Sequence, residues 1–234
     1  MNILITGASR GIGAAASDAL KSAGHRVIGH SSLGSPLLVA GDLSNPAAPR
    51  DIWDTALDEL GGHIDVLVNN AGIYEAVADN APDDEWHAAW ARTLTINLQA
   101  SADLSRLAVS HFLDRGGGGR IVNVVSRAAF RGDSPSHWHY AASKGGLVAM
   151  TRTIARGYAA EGILCFGVAP GFTVSEMTEE YLTGRGGAQI LADIPLGRVA
   201  STDEIGEIIR WLATDAPASA TGSILDANGA SYVR

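Results

Sequence analysis

One cysteine occurs in the 234 residues, so an internal disulfide is excluded. Cys165 lies in the apolar run Ile163-Leu-Cys-Phe-Gly-Val168 and reads as a core residue rather than a nucleophile. Long apolar runs are missing too: nothing approaches the ~18 residues that a membrane span needs. Positive charge is scarce, with 17 Lys and Arg against 25 Asp and Glu and a formal net charge of −8. Neutralising nucleic-acid phosphates takes clustered Lys and Arg. No basic run is present, which argues against a general nucleic-acid binder, and an acidic surface mainly keeps a protein soluble. There is no linker-like Pro/Gly segment and no internal repeat. The one low-complexity stretch, Gly116–Gly119, is too short to act as a linker between domains. A strand-like run begins at residue 2, ahead of which no signal peptide is expected. These absences lead to the expectation of one soluble, cytoplasmic domain over 1–234.

What is present alternates. Short apolar runs suited to buried strands occur at Asn2–Thr6, Arg26–Gly29, Leu37–Ala40, Ile64–Val68, Arg120–Val125, Ile163–Val168 and Ser223–Asp226. Between them, helices are predicted over Ala14–Ala23, Pro49–Leu60, Asp83 to Leu113 with a break near Asn97, Trp138–Ala160 and Asp203–Thr214. Strands alternating with helices imply an α/β fold: a Rossmann-type, doubly wound parallel sheet of about seven strands, helices on both faces. Ligands of such sheets sit beyond the carboxyl ends of the strands. The glycine-rich turn at 7–13, Asp42, Asn69–Gly72, Ser126 and Pro170-Gly171 all fall at those ends, so they are expected to share one crevice.

Two constellations carry chemistry. Thr6-Gly-Ala-Ser-Arg-Gly-Ile-Gly13 follows the first strand and opens the first helix. Glycines there let the backbone approach a pyrophosphate, and the helix N-terminus offers N–H groups and positive dipole. The second is Tyr140 and Lys144, one helical turn apart and so on one face. An ammonium close to a phenol favours the phenolate, which would let Tyr140 exchange a proton nearer neutrality. Taken alone, such a pair is also what helix packing produces. Ser126 alone is equally a turn residue, Asn97 a helix-kink or capping residue, and Asp42 a helix cap in Asp42-Leu-Ser-Asn-Pro46.

Together, Thr6-Gly-x3-Gly-x-Gly13, Asn69-Asn-Ala-Gly72, Asn97, Ser126, Tyr140-x3-Lys144 and Pro170-Gly171 occur in an order that resembles the short-chain dehydrogenase/reductase family. The segment Thr221–Gly229 resembles the family's C-terminal end, so the likeness spans essentially the whole chain. It is nearest in flavour to 3-oxoacyl-[acyl-carrier-protein] reductases and carbonyl reductases. The resemblance implies an oxidoreductase that interconverts a carbonyl and a secondary alcohol. It makes Tyr140 the general acid/base, and Lys144 the group that lowers the Tyr140 pKa and binds the nicotinamide ribose. It makes Ser126 the hydrogen-bond donor to the substrate oxygen, and Asn97 the holder of a relay water beside Lys144. It implies cofactor contacts from Gly7, Ser9, Arg10, Gly11, Ile12 and Gly13 around the phosphates, and from Asp42 and Leu43 toward adenine. Asn69, Ala71 and Gly72 would follow along the sheet, with Pro170, Gly171, Thr173 and Ser175 at the nicotinamide.

The segment after the second strand, Gly29-His-Ser-Ser-Leu33, lacks the acid that would select NAD through the ribose 2′-OH. Arg10, with Ser31 and Ser32, suits a 2′-phosphate instead, so NADP(H) is favoured, with NAD(H) the alternative. The stretch Ser31–Leu37 is too short for the helix that family members usually carry there. Substrate contacts are expected from Ile73–Val77, Arg127–His139 and a lid at about 172–197 that includes Met177, Tyr181 and Gly184–Gly187. His137-Trp-His139 is too few ligands for a metal, so none is expected. The substrate stays open among acyl thioester, ketone, small alcohol, steroid and sugar. A halohydrin-dehalogenase-like chemistry would need a disrupted glycine turn and Arg at position 144. A regulator that senses NADP(H) without turnover would not need the full Asn97/Ser126/Tyr140/Lys144 set. A homotetramer or homodimer, packed through the helices near 86–113 and 138–160, is implied as well.

Overall fold

The computed structural model describes residues 1–173 and 191–234. Seven parallel strands form one sheet in the order β3-β2-β1-β4-β5-β6-β7. The strands are β1 (Asn2–Ile5), β2 (Arg26–Ser31), β3 (Leu38–Ala40), β4 (Val66–Asn69), β5 (Gly119–Val124), β6 (Ile163–Pro170) and β7 (Ile224–Ala227). Among the described residues the α-helices are α1 (Gly11–Ser22), α2 (Ala48–Glu59), α3 (Asp83–Leu94), α4 (Ala100–Asp114), α5 (Ala128–Arg131), α6 (Trp138–Tyr158) and α7 (Thr202–Thr214).

Alternation along β1 shows how one sheet supports two cores. Leu4 points to one face, packing with Ile52, Trp53, Leu104 and Phe112 of α2 and α4. Ile3 and Ile5 point to the other, against Leu20 of α1 and Ile205, Ile209 and Leu212 of α7. Successive strand side chains face opposite ways, so a strand buried on both faces reads as an unbroken apolar run. Cys165 of β6 is fully buried in the first of these cores, and burial pushes its thiol pKa up.

The strand order reverses direction between β1 and β4: the β1–β2 crossover through α1 lies on one face and the β4–β5 crossover through α4 on the other. That reversal opens a crevice at the carboxyl ends. Among the described residues no helix joins β2 to β3, and Ser35 and Leu38 form a small bridge there instead. Several elements differ from the sequence reading. Helix α1 starts at Gly11, so the last two glycines of the motif belong to its first turn. The break near Asn97 is a π-helical turn, Thr95–Gln99, that keeps α3 and α4 continuous. Short π-helical insertions of this kind occur often at functional sites. Helix α5 has no counterpart in the sequence reading; four residues give too little periodicity to read. No helix among the described residues is long and apolar enough to cross a membrane.

Candidate active site

The glycine turn is shaped by two constraints. Gly7 adopts φ +66°, a conformation that side chains disfavour. A Cβ on Gly13 would lie 2.1 Å from the Gly7 carbonyl oxygen, so only hydrogen fits there. Arg10 is the N-cap of α1 and makes no side-chain cap. The first-turn N–H groups therefore have no side-chain acceptor and face the crevice, the arrangement that receives an anion. These features fit the pyrophosphate of a dinucleotide.

Three residues lock this turn in place. Thr6 Oγ1 accepts the N–H groups of Asn70 and Ala71, each at 3.0 Å. Asn70 Nδ2 donates back to the carbonyls of Thr6 at 2.9 Å and Gly7 at 3.0 Å. His30, buried at the end of β2, accepts the Gly7 N–H on Nδ1 at 3.3 Å. It then donates from Nε2 to the Gly41 carbonyl at 2.8 Å. That pairing requires the neutral Nε2–H tautomer, and burial lowers the His30 pKa, which favours it. Asn70 lies inside the Asn69–Gly72 motif, but its part in holding the turn is not legible there, and His30 does not stand out at all. Their partners are remote in the chain, and a lone buried histidine gives no pattern.

A cavity of about 1090 Å³ runs from this turn along the carboxyl ends. Its lining brings together Gly7, Arg10, Gly11, Ile12 and Gly13 with Ala71, Gly72, Ser126, Tyr140 and Lys144, and with Pro170, Gly171 and Thr173. Other expected residues lie outside the lining. Asn69 is buried and donates to Ser105 Oγ at 3.0 Å and Asn123 Oδ1 at 2.9 Å, bracing the sheet interior. Asp42 accepts the Ser44 N–H at 2.9 Å, closing its own turn. Leu43 is a core residue. The Ser31 hydroxyl accepts the Gly34 N–H at 3.0 Å, while Ser9 and Ser32 are exposed. Ser175, Met177, Tyr181, Gly184–Gly187 and most of the 172–197 segment lie outside the described residues.

Lys144 is almost fully buried, and its Nζ donates to the Val124 carbonyl, at the end of β5, at 2.9 Å. Burial pushes its pKa down to about 8. Two of its three ammonium N–H groups remain for a ligand or water. The π-helical turn aims Asn97 at the segment after β4. Its Oδ1 accepts the Ile73 N–H at 2.8 Å and its Nδ2 donates to the Ile73 carbonyl at 3.0 Å. The Asn97 amide is thus committed to clasping that backbone. A Cβ on Gly72 would sit 3.3 Å from Asn97 Oδ1 and 3.5 Å from Lys144 Nζ, which shows how closely the two converge.

Tyr140 stands on the same face of α6, its ring centroid 5.8 Å from Lys144 Nζ. Burial pushes the phenol up to about 12, hydrogen bonding to Ser126 pulls it down, and the Asp133 charge raises it. The direction is opposite to the lowering expected from Lys144, because desolvation of the phenolate outweighs an ammonium that is not in direct contact. The Ser126 hydroxyl accepts the Ala128 N–H at 3.1 Å, leaving its own proton to donate. An aromatic wall stands opposite. Tyr74 meets Tyr140 edge-on at 4.8 Å and 83°, and stacks flat on His137 at 3.9 Å and 4°. The His137 Nδ1 pairs with Ser134 Oγ at 2.6 Å, so this histidine serves the wall. Among the described residues, no group of three or more His, Cys, Asp or Glu side chains could hold a metal.

Comparison with known proteins is consistent with this geometry. The chain is 33% identical to the 3-oxoacyl-[acyl-carrier-protein] reductase FabG of Escherichia coli K12 over 243 residues, covering 98% of this chain and 96% of the relative. It is 32% identical to the acetoacetyl-CoA reductase of Shinella zoogloeoides over 240 residues, covering 98% and 97%. A short chain dehydrogenase from Burkholderia cenocepacia, solved in complex with NADP, superposes with a TM-score of 0.88 at 28% identity, covering 98% of this chain and 97% of that one. Residues 1–186 match the family model described as short chain dehydrogenase, and with the glycine turn, Ser126, Tyr140 and Lys144 on one crevice, the chain belongs to the short chain dehydrogenase family.

Proposed function

We propose that this protein is an NADP(H)-dependent oxidoreductase that interconverts a ketone and a secondary alcohol, with Tyr140 exchanging the proton on the reacting oxygen. The observation that carries the reading is the meeting of an anion-receptive helix start with Ser126, Tyr140 and Lys144 in one cavity. When bound, the nicotinamide cofactor supplies or accepts the hydride. The chain does the rest. Ser126 donates its hydroxyl proton in a hydrogen bond to the substrate oxygen and stabilises the charge that develops there. Tyr140 delivers the proton as general acid in reduction and removes it in oxidation. Lys144 would hold the ribose hydroxyls of that cofactor with the two N–H groups it does not give to Val124. Asn97 fixes the backbone at Ile73, beside which the cofactor would lie.

NADP(H) is the favoured partner because Arg10 is exposed at the cavity rim and residues 29–33 carry no acid. A panel of ketones and alcohols, followed at the nicotinamide absorbance with both cofactors, tests the reading. Some members should turn over, with kcat/KM for NADPH above that for NADH; a ratio below one would overturn the cofactor assignment, and no turnover at all the reaction. As for assembly, we take the chain to be a cytoplasmic homotetramer or homodimer, a reading supported by the exposure of Leu113 on α4 and Trp138 on α6.

His30 supports the same reading from behind the turn. His30→Ala should weaken NADP⁺ binding roughly tenfold, since it releases the Gly7 N–H and the Gly41 carbonyl together. His30→Gln, which carries an acceptor and a donor, should recover part of the loss. Calorimetric titration reads both, and an unchanged Kd in His30→Ala would dismiss the role.

A further inference from the structure

Arg127 follows Ser126 directly and lines the same cavity as Ser126 and Tyr140. Its backbone is fixed, because its N–H donates to the Pro170 carbonyl at 3.0 Å. Its guanidinium lies over the Phe172 ring, 4.7 Å from the centroid. Only 12% of the side chain is exposed. A guanidinium carries five N–H donors, and one so far from water needs acceptors and countercharge.

Both are in short supply here. The carboxylate of Asp193 is 3.6 Å from Arg127 Nη1, beyond hydrogen-bond reach. The same oxygen is held by Arg131 Nη1 at 2.5 Å. Arg127 Nη1 is shut off from solvent and has no hydrogen-bond acceptor among the described residues. The other acid on this wall, Asp133, receives the Tyr74 hydroxyl at 3.0 Å and the Ser134 N–H at 2.7 Å. Two guanidiniums therefore share one carboxylate, next to the serine that would hold the reacting oxygen. The charge persists, because a guanidinium does not deprotonate in the working pH range.

We infer that Arg127 anchors a free carboxylate on the substrate, so that the preferred substrate is an oxo acid rather than a thioester or an uncharged ketone. This rests on the carbonyl-reductase reading above. A carboxylate matches the planar fork of the guanidinium and brings the missing negative charge. A thioester would bring neutral sulfur to that place, and a plain ketone would expel water while leaving the cation short of an acceptor. The carboxylate is a handle and is not consumed: hydride and one proton add across the C=O bond, and the cofactor is oxidised.

The test compares 3-oxobutanoate with its methyl ester, at saturating NADPH, in the wild type, Arg127→Met and Arg127→Lys. The wild type should favour the acid in kcat/KM, mainly through KM. Losing a buried charge-paired contact is worth about 2–5 kcal/mol, so the acid-to-ester ratio should fall at least roughly 30-fold in Arg127→Met. Arg127→Lys, a cation without the fork, should fall in between. A second readout avoids turnover: with NADP⁺ bound, butanoate should raise the melting temperature more than butanamide in the wild type, and not in Arg127→Met. A wild type that reduces the ester as well as the acid would overturn the inference and leave the reductase reading intact. So would an Arg127→Met variant that loses both substrates in proportion, which would make Arg127 a brace for Phe172. If no carbonyl in the wider panel is reduced with either cofactor, the reductase reading fails, and this inference with it.

Discussion

Tyr140→Phe is expected to lower kcat about 10²–10⁴-fold, the usual worth of a positioned general acid, while NADP⁺ binds with nearly unchanged Kd. The substitution removes one hydroxyl and keeps the ring. The edge-on contact with Tyr74 at 4.8 Å needs only the ring, so the wall of Tyr74 and His137 should stand. The phosphate turn is held by Thr6, Asn70 and His30, none of which touches the lost hydroxyl. Burial pushes the phenol up to about 12, so in the free protein its proton is firmly held at neutral pH. That suits the reductive direction, where the group must donate. Alcohol oxidation needs the phenolate, which becomes available only as pH rises. Oxidation should therefore climb into the alkaline range while reduction holds near neutrality. Steady-state rates in both directions, with cofactor titration, check this; a Phe variant that turns over like the wild type would dismiss Tyr140 as the acid.

Sheet and crevice are readable because both rest on local pattern. Strands buried on two faces are apolar runs, and the residues after them fall at the carboxyl ends whatever the details. Thus the glycine turn, Ser126 and Pro170-Gly171 can be placed in one crevice from pattern alone, while Tyr140 and Lys144 join them only through the family resemblance; the structure puts all of them on one cavity, and leaves Asp42 and Asn69 off it. What stays hidden depends on partners far apart in the chain. In Asn69-Asn70 the sequence gives no reason to tell the two amides apart, yet Asn69 points into the sheet and Asn70 to the glycine turn. His30 joins Gly7 to Gly41, a link no periodicity announces. Asn97 is legible as an interruption, but the π-helical turn and its clasp on Ile73 are not. The direction of the Tyr140 shift escapes the sequence for a related reason. Spacing reports that Lys144 is near; it does not report how much water the phenol has lost.

Lys144→Met is expected to abolish most turnover and yet stabilise the cofactor-free protein at pH 7. Folding buries this ammonium and lowers its pKa from 10.5 to about 8, which disfavours the charged form by about 3 kcal/mol at a conversion of ~1.4 kcal/mol per unit. The sign follows from proton binding. Between pH 8 and 10.5 the unfolded chain holds a proton on this lysine that the folded one has released, so stability rises with pH across that window. Below pH 8 the whole penalty is present. Methionine has a similar length and no charge, so it removes the penalty. Against this, the Val124 carbonyl loses its 2.9 Å donor, at a cost of about 1 kcal/mol or somewhat more. A net gain of about 1–2 kcal/mol remains, roughly 2–8 °C in melting temperature for a chain of this size. The gain should shrink toward about pH 10, as the wild type is itself relieved of the charge. Turnover should fall because the same cation, which converges with Asn97 at Gly72, is the one that would hold the ribose. Thermal melts of both proteins at about pH 7 and about pH 10, without cofactor, decide the matter. A variant less stable than the wild type at neutral pH, or a gain that does not change with pH, would show that the buried charge carries no such cost.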